Sequence, residues 1–411
     1  MFEKFFKLKE NGTDVKTEVI AGLTTFMTMA YILAVNPNIL SVAGMDKQAL
    51  LIATALAAVF VEGIIFIILS VTSVREAIFN AIPMTLKSAV SVGIGLFVAF
   101  IGLQDAKLIV NSDSTLVTYQ TFKGETFHSV GVGAILALVG VFITAILLIK
   151  NVKGGILIGI IATWVLGMIC EACGIYVPDP AAGMYSTIPS SIVSFDFTPF
   201  KETFGAVFRA DFHSIKLVDF IVVMFAFLFV DMFDTIGTLI GVSSKADMLD
   251  ENGKLPRIKP ALLSDAIATC VGAVFGTSTT TTFVESASGV TAGGRTGLTS
   301  IVTAVLFLLS IVFSPLFLAI PSFAIAPALI IVGFYMMGAV AKINFEDMSD
   351  AIPAFLCIVA MPLAYSISEG ISVGVISWTL VNLVTGKAKE KKISIVMYVL
   401  TVLFILKYIL L

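Results

Sequence analysis

The chain has 411 residues, of which 58% are hydrophobic and 13% are charged. Soluble globular proteins carry about 25% charged residues, so this chain has about half of the charge that a water-facing surface needs. The formal net charge of −3 gives no indication of a polyanionic partner such as nucleic acid. The composition therefore excludes a soluble enzyme and a disordered chain, and it predicts a protein whose main solvent is lipid.

Twelve apolar runs have about the length that a membrane crossing needs, since a bilayer core of about 30 Å takes roughly 20 helical residues. They cover 19–40, 49–72, 84–103, 130–149, 154–173, 218–242, 260–276, 297–320, 322–341, 351–367, 371–384 and 393–411. The first run is too long for a signal peptide and lacks a small-residue cleavage site. The sequence leaves open whether the last run spans the bilayer or lies at its surface. We predict an all-α polytopic membrane protein.

Basic residues give the orientation of these runs. Lys residues precede the first run, and Lys or Arg residues follow the second, fourth and sixth runs. Because basic residues beside short loops stay on the cytoplasmic side, residues 1–16 are predicted to be cytoplasmic. The polar loops 104–129 and 174–217 then lie outside the cytoplasm, and the Pro residues of 174–217 predict ordered turns there.

The segment 277–293 interrupts the apolar pattern. It begins with Thr277 and contains six consecutive Thr or Ser residues, which favour an extended backbone, followed by about two helical turns. A helix broken at membrane depth is the best sequence pointer to a transporter site. We predict a short strand and a half-helix here, and a Thr-rich loop outside the membrane remains the alternative.

Two acids occupy the middle of the run 218–242. Asp231 and Asp234 are three residues apart and so project from one helical face. Burial disfavours the charged form of a carboxyl group, and a second carboxylate nearby makes it easier for one of the two to hold a proton. The pair therefore suits a proton-coupled carrier. The structural alternative is that the buried acids cap the adjacent hydroxyls of Thr235 and Thr238 or the backbone of a broken helix.

Glu285 and Glu62 also lie at membrane depth. Glu285 stands where the Thr-rich stretch turns into the half-helix, so it either caps the helix or accepts N–H donors from a planar polar ligand. Glu62 is either a buried hydrogen-bonding acid or a functional one. Four Cys and two His are too few for a disulfide framework or a metal cluster, although Cys170 and Cys173 form a C-x-x-C. We expect no metal site and, without a P-loop or nucleophile elbow, no enzyme.

Three motifs carry a family resemblance. They are the stretch from Val19 to Leu33 with Asn36-Pro37, the Asp231-x-x-Asp234-Thr235 helix, and Glu285-Ser-Ala-x-Gly-Val with Gly293-Gly-Arg-Thr-Gly. The chain resembles the AzgA-like branch of the nucleobase/ascorbate transporter superfamily over nearly its whole length. The resemblance implies a proton-coupled permease for guanine and hypoxanthine, with adenine a substrate of some members. It also implies two inverted seven-helix repeats that form a core and a gate domain.

The resemblance also assigns site residues. Asp231 and Glu285 match the family's substrate-binding acids, Asp234 matches a position linked to transport, and Phe283 fits beside the purine ring. The substrate-binding set is Asp231, Glu285, Phe283, Val284 and Ser286, the proton-coupling set is Asp231 and Asp234, and secondary candidates are Thr235, Glu62 and Thr282. Expected partners are a purine nucleobase and the lipid bilayer, with a homodimer left open, and the proton replaces any cofactor. The expected location is the plasma or inner membrane.

The first repeat is shorter than the second. Ala81-Ile-Pro83 recurs as Ala319-Ile-Pro321, yet 64 positions separate Val19 from Pro83, against 103 from Val218 to Pro321. The difference of 39 residues is roughly two crossings. The family's Ala-Pro-Gly-Met-Gly-Leu-Asn stretch is absent from the sequence. The junction at which these residues are missing, which we call the seam, lies near 55–59.

We therefore divide the chain into a cytoplasmic segment 1–16, an incomplete first repeat 17–173, an extracytoplasmic loop 174–217 and a second repeat 218–411. Uptake of purine nucleobases by proton symport with alternating access is the leading hypothesis. The rivals are a membrane protein that folds but does not transport, as a deletion paralogue or a truncated form, and an anion carrier of related architecture.

Overall fold

The structure is a computed structural model. It describes residues 2–30, 32–33, 49–72, 81–112, 114–120, 124, 126–152, 154–189, 191–195, 203–209, 220–221, 224, 228, 231–232, 235, 238–239, 242–243, 248, 255–277, 279–283 and 286–410.

Helices dominate the described part of the chain. Those before residue 200 are α1 Phe2–Phe5, α2 Val15–Met29, α3 Ala49–Val71, α4 Met84–Asp105, α5 Val132–Ile149, which continues a π-helical turn at Phe127–Gly131, and α6 Gly155–Ala172. Those after it are α7 Ile258–Phe275, α8 Ser286–Thr291, α9 Gly297–Ser310, α10 Ser314–Leu318, α11 Ser322–Met337, α12 Met348–Leu363, α13 Ile367–Val384 and α14 Ile395–Leu410.

The predicted crossings correspond to these helices. Each of the twelve runs contains helical residues, and every described position from 220 to 243 is helical. Six helical segments in the described residues are long and apolar enough to cross a bilayer, and four apolar helices are shorter. The agreement follows from the physics of the solvent: a backbone in hydrocarbon must satisfy its own hydrogen bonds, and the α-helix does so within one segment.

Side-chain caps fix several helix starts. Asp14 precedes α2 and accepts the Thr17 N–H at 2.8 Å. That hydrogen bond holds the pKa of the Asp14 carboxyl below its usual value. Thr296 caps α9, and Asp347 and Ser366 cap α12 and α13 in the same way. Each side-chain oxygen satisfies a backbone N–H that has no partner within the helix.

A short sheet interrupts the helices after α4. Strands β1 Ile109–Ser112 and β2 Leu116–Tyr119 pair antiparallel. The prediction did not include this hairpin, although the Val, Thr and Tyr residues on either side of Asn-Ser-Asp-Ser carry its signal. In the loop 174–217, Pro180–Ala182 and Ala206–Arg209 form 3₁₀ turns, in agreement with the ordered turns that the Pro residues predict.

The chain folds into two compact units, each of which takes segments from both halves of the sequence. The first contains Met1–Gly44, Val98–Asp196 and Glu285–Phe334, and the second contains Met45–Phe97, Phe197–Val284 and Tyr335–Leu411. Much of the first unit's apolar core is formed by α5, α6 and α11. Gly140 allows these helices to meet, since a Cβ there would lie 2.4 Å from Thr163 Oγ1 and 2.7 Å from Pro327 Cγ.

In the second unit, α3 crosses α7 closely and α12 to α14 form a layer of packed neighbours. A Cβ on Gly63 would lie 2.5 Å from Cys270 Sγ. The last helix, α14, runs antiparallel along α13: Thr401 Oγ1 lies 2.9 Å from Thr379 Oγ1, and nearer the C-terminus Lys407 forms an ion pair with Glu369. The apolar helix α14 therefore packs along α13.

The interrupted segment 277–293 is confirmed in part. Residues 279–283 have no regular structure, and α8 makes one and a half turns over six residues. The predicted strand is wrong for the described residues 279–283, because none of them takes part in a ladder with another strand. An extended stretch becomes a strand only where a neighbouring strand supplies its backbone partners. Side chains of α3 and α7 contact this stretch instead.

Candidate functional site

Two buried aspartates share one hydroxyl group in the second unit. The Thr235 hydroxyl lies 3.2 Å from Asp231 Oδ1 and 3.2 Å from both carboxylate oxygens of Asp265. Asp231, Thr235 and Asp265 are 2%, 0% and 7% exposed. Asp231 and Thr235 are one helical turn apart, and Asp265 comes from α7, so two helices bring the acids to the same oxygen. We call these three residues the aspartate cluster.

The cluster continues along α7 to the interrupted segment. Thr269 lies one turn after Asp265 on the same helical face and is fully buried. Its hydroxyl donates to the backbone carbonyl of Thr280 at 3.2 Å. The neighbouring Thr279 contacts α3: its Oγ1 donates to Oε2 of Glu62 at 3.3 Å. Glu62 is 0% exposed. Polar side chains thus extend from the aspartate cluster along α7 to the irregular stretch 279–283.

The chemistry of the cluster follows from hydrogen counting. A hydroxyl group carries one hydrogen and accepts through its lone pairs. Thr235 therefore donates to one carboxylate at a time, and its contact with the other is attractive when that carboxyl group holds a proton and donates it. Two like charges at such close range also favour the state in which one acid is protonated. The arrangement suits a proton that is held by the pair.

The structure describes some of the predicted site residues and not others. Asp231, Thr235 and Glu62 are buried, as expected of residues at membrane depth. Thr282 and Phe283 lie half-buried in the irregular stretch, and Ser286 is the first residue of α8. The predictions on Asp234, Val284 and Glu285 fall outside the described residues. Asp231 Oδ1 lies 3.2 Å from the Thr235 hydroxyl, the contact that the structural alternative names, and the same hydroxyl lies against Asp265.

The sequence analysis missed Asp265 and Glu18. Asp265 lies in the middle of the predicted run 260–276, where a charged residue is costly and usually functional, so the signal was present. Glu18 stands just before the first run and is completely buried. Its carboxylate contacts residues 277 positions and more away in sequence, and no local pattern reports such a partner.

Within the part of the chain that the structure describes, no three His, Cys, Asp or Glu side chains come close enough together to hold a metal ion. Cys170 and Cys173 are free thiols, and Cys173 is exposed. Neither belongs to the aspartate cluster.

Solved structures with a similar fold are membrane transporters. The chain is similar to the transmembrane domain of a cyanobacterium bicarbonate transporter, BicA, with a TM-score of 0.55 and 16% identity, over 89% of this chain and 91% of that one. It is also similar to SLC26A9, with a TM-score of 0.53 and 12% identity, over 93% and 67% of the two chains. These neighbours have the seven-plus-seven inverted-repeat fold that the resemblance implied.

Relatives with known names match over nearly the full length. The putative permease MJ0326 of Methanocaldococcus jannaschii is 42% identical over 452 residues, covering 99% of this chain and 98% of that protein. The guanine/hypoxanthine permease PbuO of Bacillus subtilis is 41% identical, covering 94% and 95%. The adenine permease AdeP of Escherichia coli is 37% identical, covering 99% and 96%.

The model of the Permease family, Xan_ur_permease, matches residues 41–373. Together with the relatives, this match confirms the resemblance that the three motifs carry. The chain is a multi-pass membrane protein that belongs to this permease family, the nucleobase/ascorbate transporters.

Proposed function

We propose that this chain carries purine nucleobases, first of all guanine and hypoxanthine, across the plasma or inner membrane in symport with protons. The relatives named as guanine/hypoxanthine and adenine permeases support the substrate class. A carrier of this fold works by alternating access, and the cytoplasmic N-terminus predicted from the basic residues completes the proposal. A homodimer stays a prediction.

One observation carries the coupling part of the proposal: Asp231 and Asp265 reach the same hydroxyl in a buried place. A pair of acids that holds one proton loads it on one side of the membrane and releases it on the other. The membrane potential contributes about 2.3 kcal/mol per charge per 100 mV to such a step. Glu285, Phe283, Val284 and Ser286 remain the proposed contacts of the base, with Asp234 as a second proton-coupling residue.

The test is uptake of labelled hypoxanthine in cells that lack their own purine permeases, with and without a protonophore. We expect accumulation that the protonophore abolishes, and loss of accumulation in D231N and in E285Q at unchanged membrane levels. Accumulation that survives the protonophore would remove proton coupling from the proposal. Normal uptake by a variant that carries both D231N and E285Q would remove the proposed site.

A second candidate is a protein that folds and binds a base without transporting it. Two observations favour it. The alignment with the archaeal relative has 452 positions, which exceeds the 411 residues of this chain by 41, close to the 39 missing from the first repeat. The backbone of α3 is also continuously helical from Ala49 to Val71, across the seam at 55–59. Half of the substrate site would be missing from such a chain.

Binding and uptake by the purified protein separate the two candidates. Equilibrium binding of labelled hypoxanthine in detergent, without uptake into proteoliposomes under a proton gradient, supports the transport-deficient form. Uptake into the same vesicles excludes it. Bicarbonate and sulfate serve as the test of an anion carrier, which the acids of the aspartate cluster disfavour because an anion needs cations or helix N-termini around it.

A further inference from the structure

Another buried acid, Glu18, binds the segment that follows the half-helix in the first unit. Glu18 is the fourth residue of α2 and is 0% exposed. Its Oε1 accepts the backbone N–H of Arg295 at 2.8 Å, and its Oε2 accepts the N–H and the hydroxyl of Thr299 at 3.1 and 2.6 Å. These contacts supply one carboxylate with three donors, and the Thr299 N–H lies in the first turn of α9, where it also contacts the carbonyl oxygen of the cap residue Thr296 at 3.3 Å.

Arg295 connects this carboxylate to α8. Its Nη1 donates to the carbonyl oxygens of Val290 and Gly294 at 2.7 and 2.8 Å. Val290 is the last residue but one of α8, so the guanidinium group closes the C-terminal end of the half-helix. The main chain turns there with Gly293 at a φ of +105°, a conformation that glycine adopts readily. A continuous path of contacts therefore runs from α2 through Glu18 and Arg295 to α8.

Glycine residues allow α2, α8 and α9 to pack closely against one another. A Cβ on Gly289 of α8 would lie 2.0 Å from Thr25 Oγ1 and 3.0 Å from the Ala21 carbonyl oxygen of α2. A Cβ on Gly22 would lie 2.6 Å from Val302 Cβ of α9. A methyl group at either glycine would not fit between the helices. Half-helix α8 is therefore packed directly against α2.

A helix of six residues needs such support. Isolated helices of fewer than about 12 residues are marginal even for sequences that favour helix, because nucleation is costly. The direction of α8 is therefore set by its contacts with α2 and by the closure of its C-terminal end. The residue directly before α8 in sequence is Glu285, the acid that the family resemblance assigns to substrate binding.

We propose that Glu18 is a positioning residue for transport: its carboxylate, acting through Arg295, holds half-helix α8 in the orientation that presents the substrate-binding residues at its start. The proposal rests on the proposed function. Three donors facing one group require an acceptor-only side chain. Glutamine has one acceptor oxygen and an NH₂ group, so in E18Q at least one of the Arg295 and Thr299 donors meets another donor.

The chain offers a matched control. Glu171 of α6 accepts a similar set of donors, the Thr187 N–H at 2.7 Å and the Thr187 and Ser186 hydroxyls at 2.6 Å each. Those donors belong to the loop after α6 and not to α8 or α9. E171Q thus makes the same chemical change in the same unit without touching the half-helix, and any general cost of losing such a carboxylate appears in both variants.

Two readouts test the proposal in the full-length protein. Hydrogen–deuterium exchange in detergent, without ligand, reports the amides of residues 286–299. In E18Q we expect their exchange to be about tenfold faster, as loss of charge-assisted hydrogen bonds implies. Hypoxanthine uptake, normalised to the amount of protein in the membrane, then gives a several-fold higher KM with a smaller change in the maximal rate. In E171Q both quantities stay at their wild-type values.

Each outcome decides something. Wild-type exchange at 286–299 in E18Q, or an equal increase in E171Q, overturns the role of Glu18. Faster exchange with an unchanged KM overturns its link to substrate. Absence of purine uptake by the wild-type chain overturns the proposed function, and the exchange measurement still tests the holding contact by itself. If E18Q does not reach the membrane, T299V is used in its place, because it removes the hydroxyl that donates to Glu18 Oε2. T299S keeps this hydroxyl and is the control.

Discussion

The aspartate cluster and the Glu18 contact are both buried and acidic, but two acids meet in the first and only Glu18 supplies the acid in the contacts described for the second. Glu18 receives three donors on its two carboxylate oxygens. In the aspartate cluster the Thr235 hydroxyl lies between two carboxylates. A carboxylate surrounded by donors stays charged and fixes its neighbours, whereas two carboxylates around one hydroxyl suit the binding and release of a proton. Burial is common to both places; what differs is that two acids meet at one hydroxyl in the aspartate cluster, whereas one acid accepts three donors at Glu18.

The largest effect is expected from D265N. If the pair holds the coupling proton, an amide in place of Asp265 removes the group that exchanges it, and we expect proton-driven accumulation of hypoxanthine to fall about a hundredfold. Uptake is measured with and without an imposed proton gradient. D14N is the matched control, because Asp14 is an exposed cap at the start of α2 and asparagine caps equally well. Proton-driven accumulation by D265N would show that the pair is structural, like Glu18.

A smaller effect is expected from T235V. Valine keeps the shape of threonine but removes the shared hydroxyl, and the two acids then meet without the group between them. We expect uptake to fall about tenfold, with an altered dependence on external pH. T235S restores the hydroxyl and is expected to restore the pH profile. A T235V profile identical to that of the wild type would contradict the sharing of a proton through Thr235.

The packing around Glu18 is tested by G22A. The added Cβ meets Val302 Cβ at 2.6 Å and the Thr299 carbonyl oxygen at 2.8 Å. Forcing a methyl group into such a contact costs about 1–3 kcal/mol, so the melting temperature of the solubilised protein is expected to drop. G338A is the control, since a Cβ at Gly338 meets nothing within 4 Å. Equal melting temperatures for the two variants would show that α2 and α9 are less tightly joined than the contacts imply.

The smallest effect is expected at Asp347, a half-buried acid outside the spans. Lys391 forms ion pairs with Asp347 and Asp350, and Lys387 also pairs with Asp347. The hydrogen bonds from Lys391, Ser349 and Lys387 hold the pKa of Asp347 well below its usual value of 3.8. Such pairs contribute about 0–1 kcal/mol each, so K391Q should lower the melting temperature only slightly.

The pH dependence of that effect has a definite sign. Because the pKa of Asp347 is lower in the folded protein, its contribution to stability is complete above about pH 4 and is lost as the pH falls further. The difference in melting temperature between the wild type and K391Q should therefore shrink below about pH 4. A difference that grows with acidity would mean that Lys391 acts through another group.

Most of the helices were predictable because the hydrophobicity of each run is visible in the local sequence. An apolar run of bilayer length specifies a helix without reference to other residues, and each of the twelve runs contains helical residues in the structure. The interruption at 277–293 was visible for the same reason, as polar residues where apolar ones belong. The strand expected there was wrong for residues 279–283, because a strand depends on a partner that local sequence does not reveal.

The candidate site was predictable only in part. Asp231 and Thr235 stand out as polar residues in an apolar helix, but their neighbour Asp265 is 30 positions or more away in sequence. Which residues come within hydrogen-bond distance depends on how the helices pack. Packing brings together positions that are far apart in the sequence. The role of Glu18 illustrates this most fully, since its partners lie 277 and 281 residues away.

The sequence by itself determined the solvent, the crossings, the family motifs and the acids at membrane depth, because each of these is a local consequence of placing polar or apolar groups in lipid. Only the tertiary structure decided which acids meet a shared hydroxyl and which one meets a full set of donors. Hydrogen bonds act over about 3 Å, and only the packing of helices brings groups from distant parts of the chain that close.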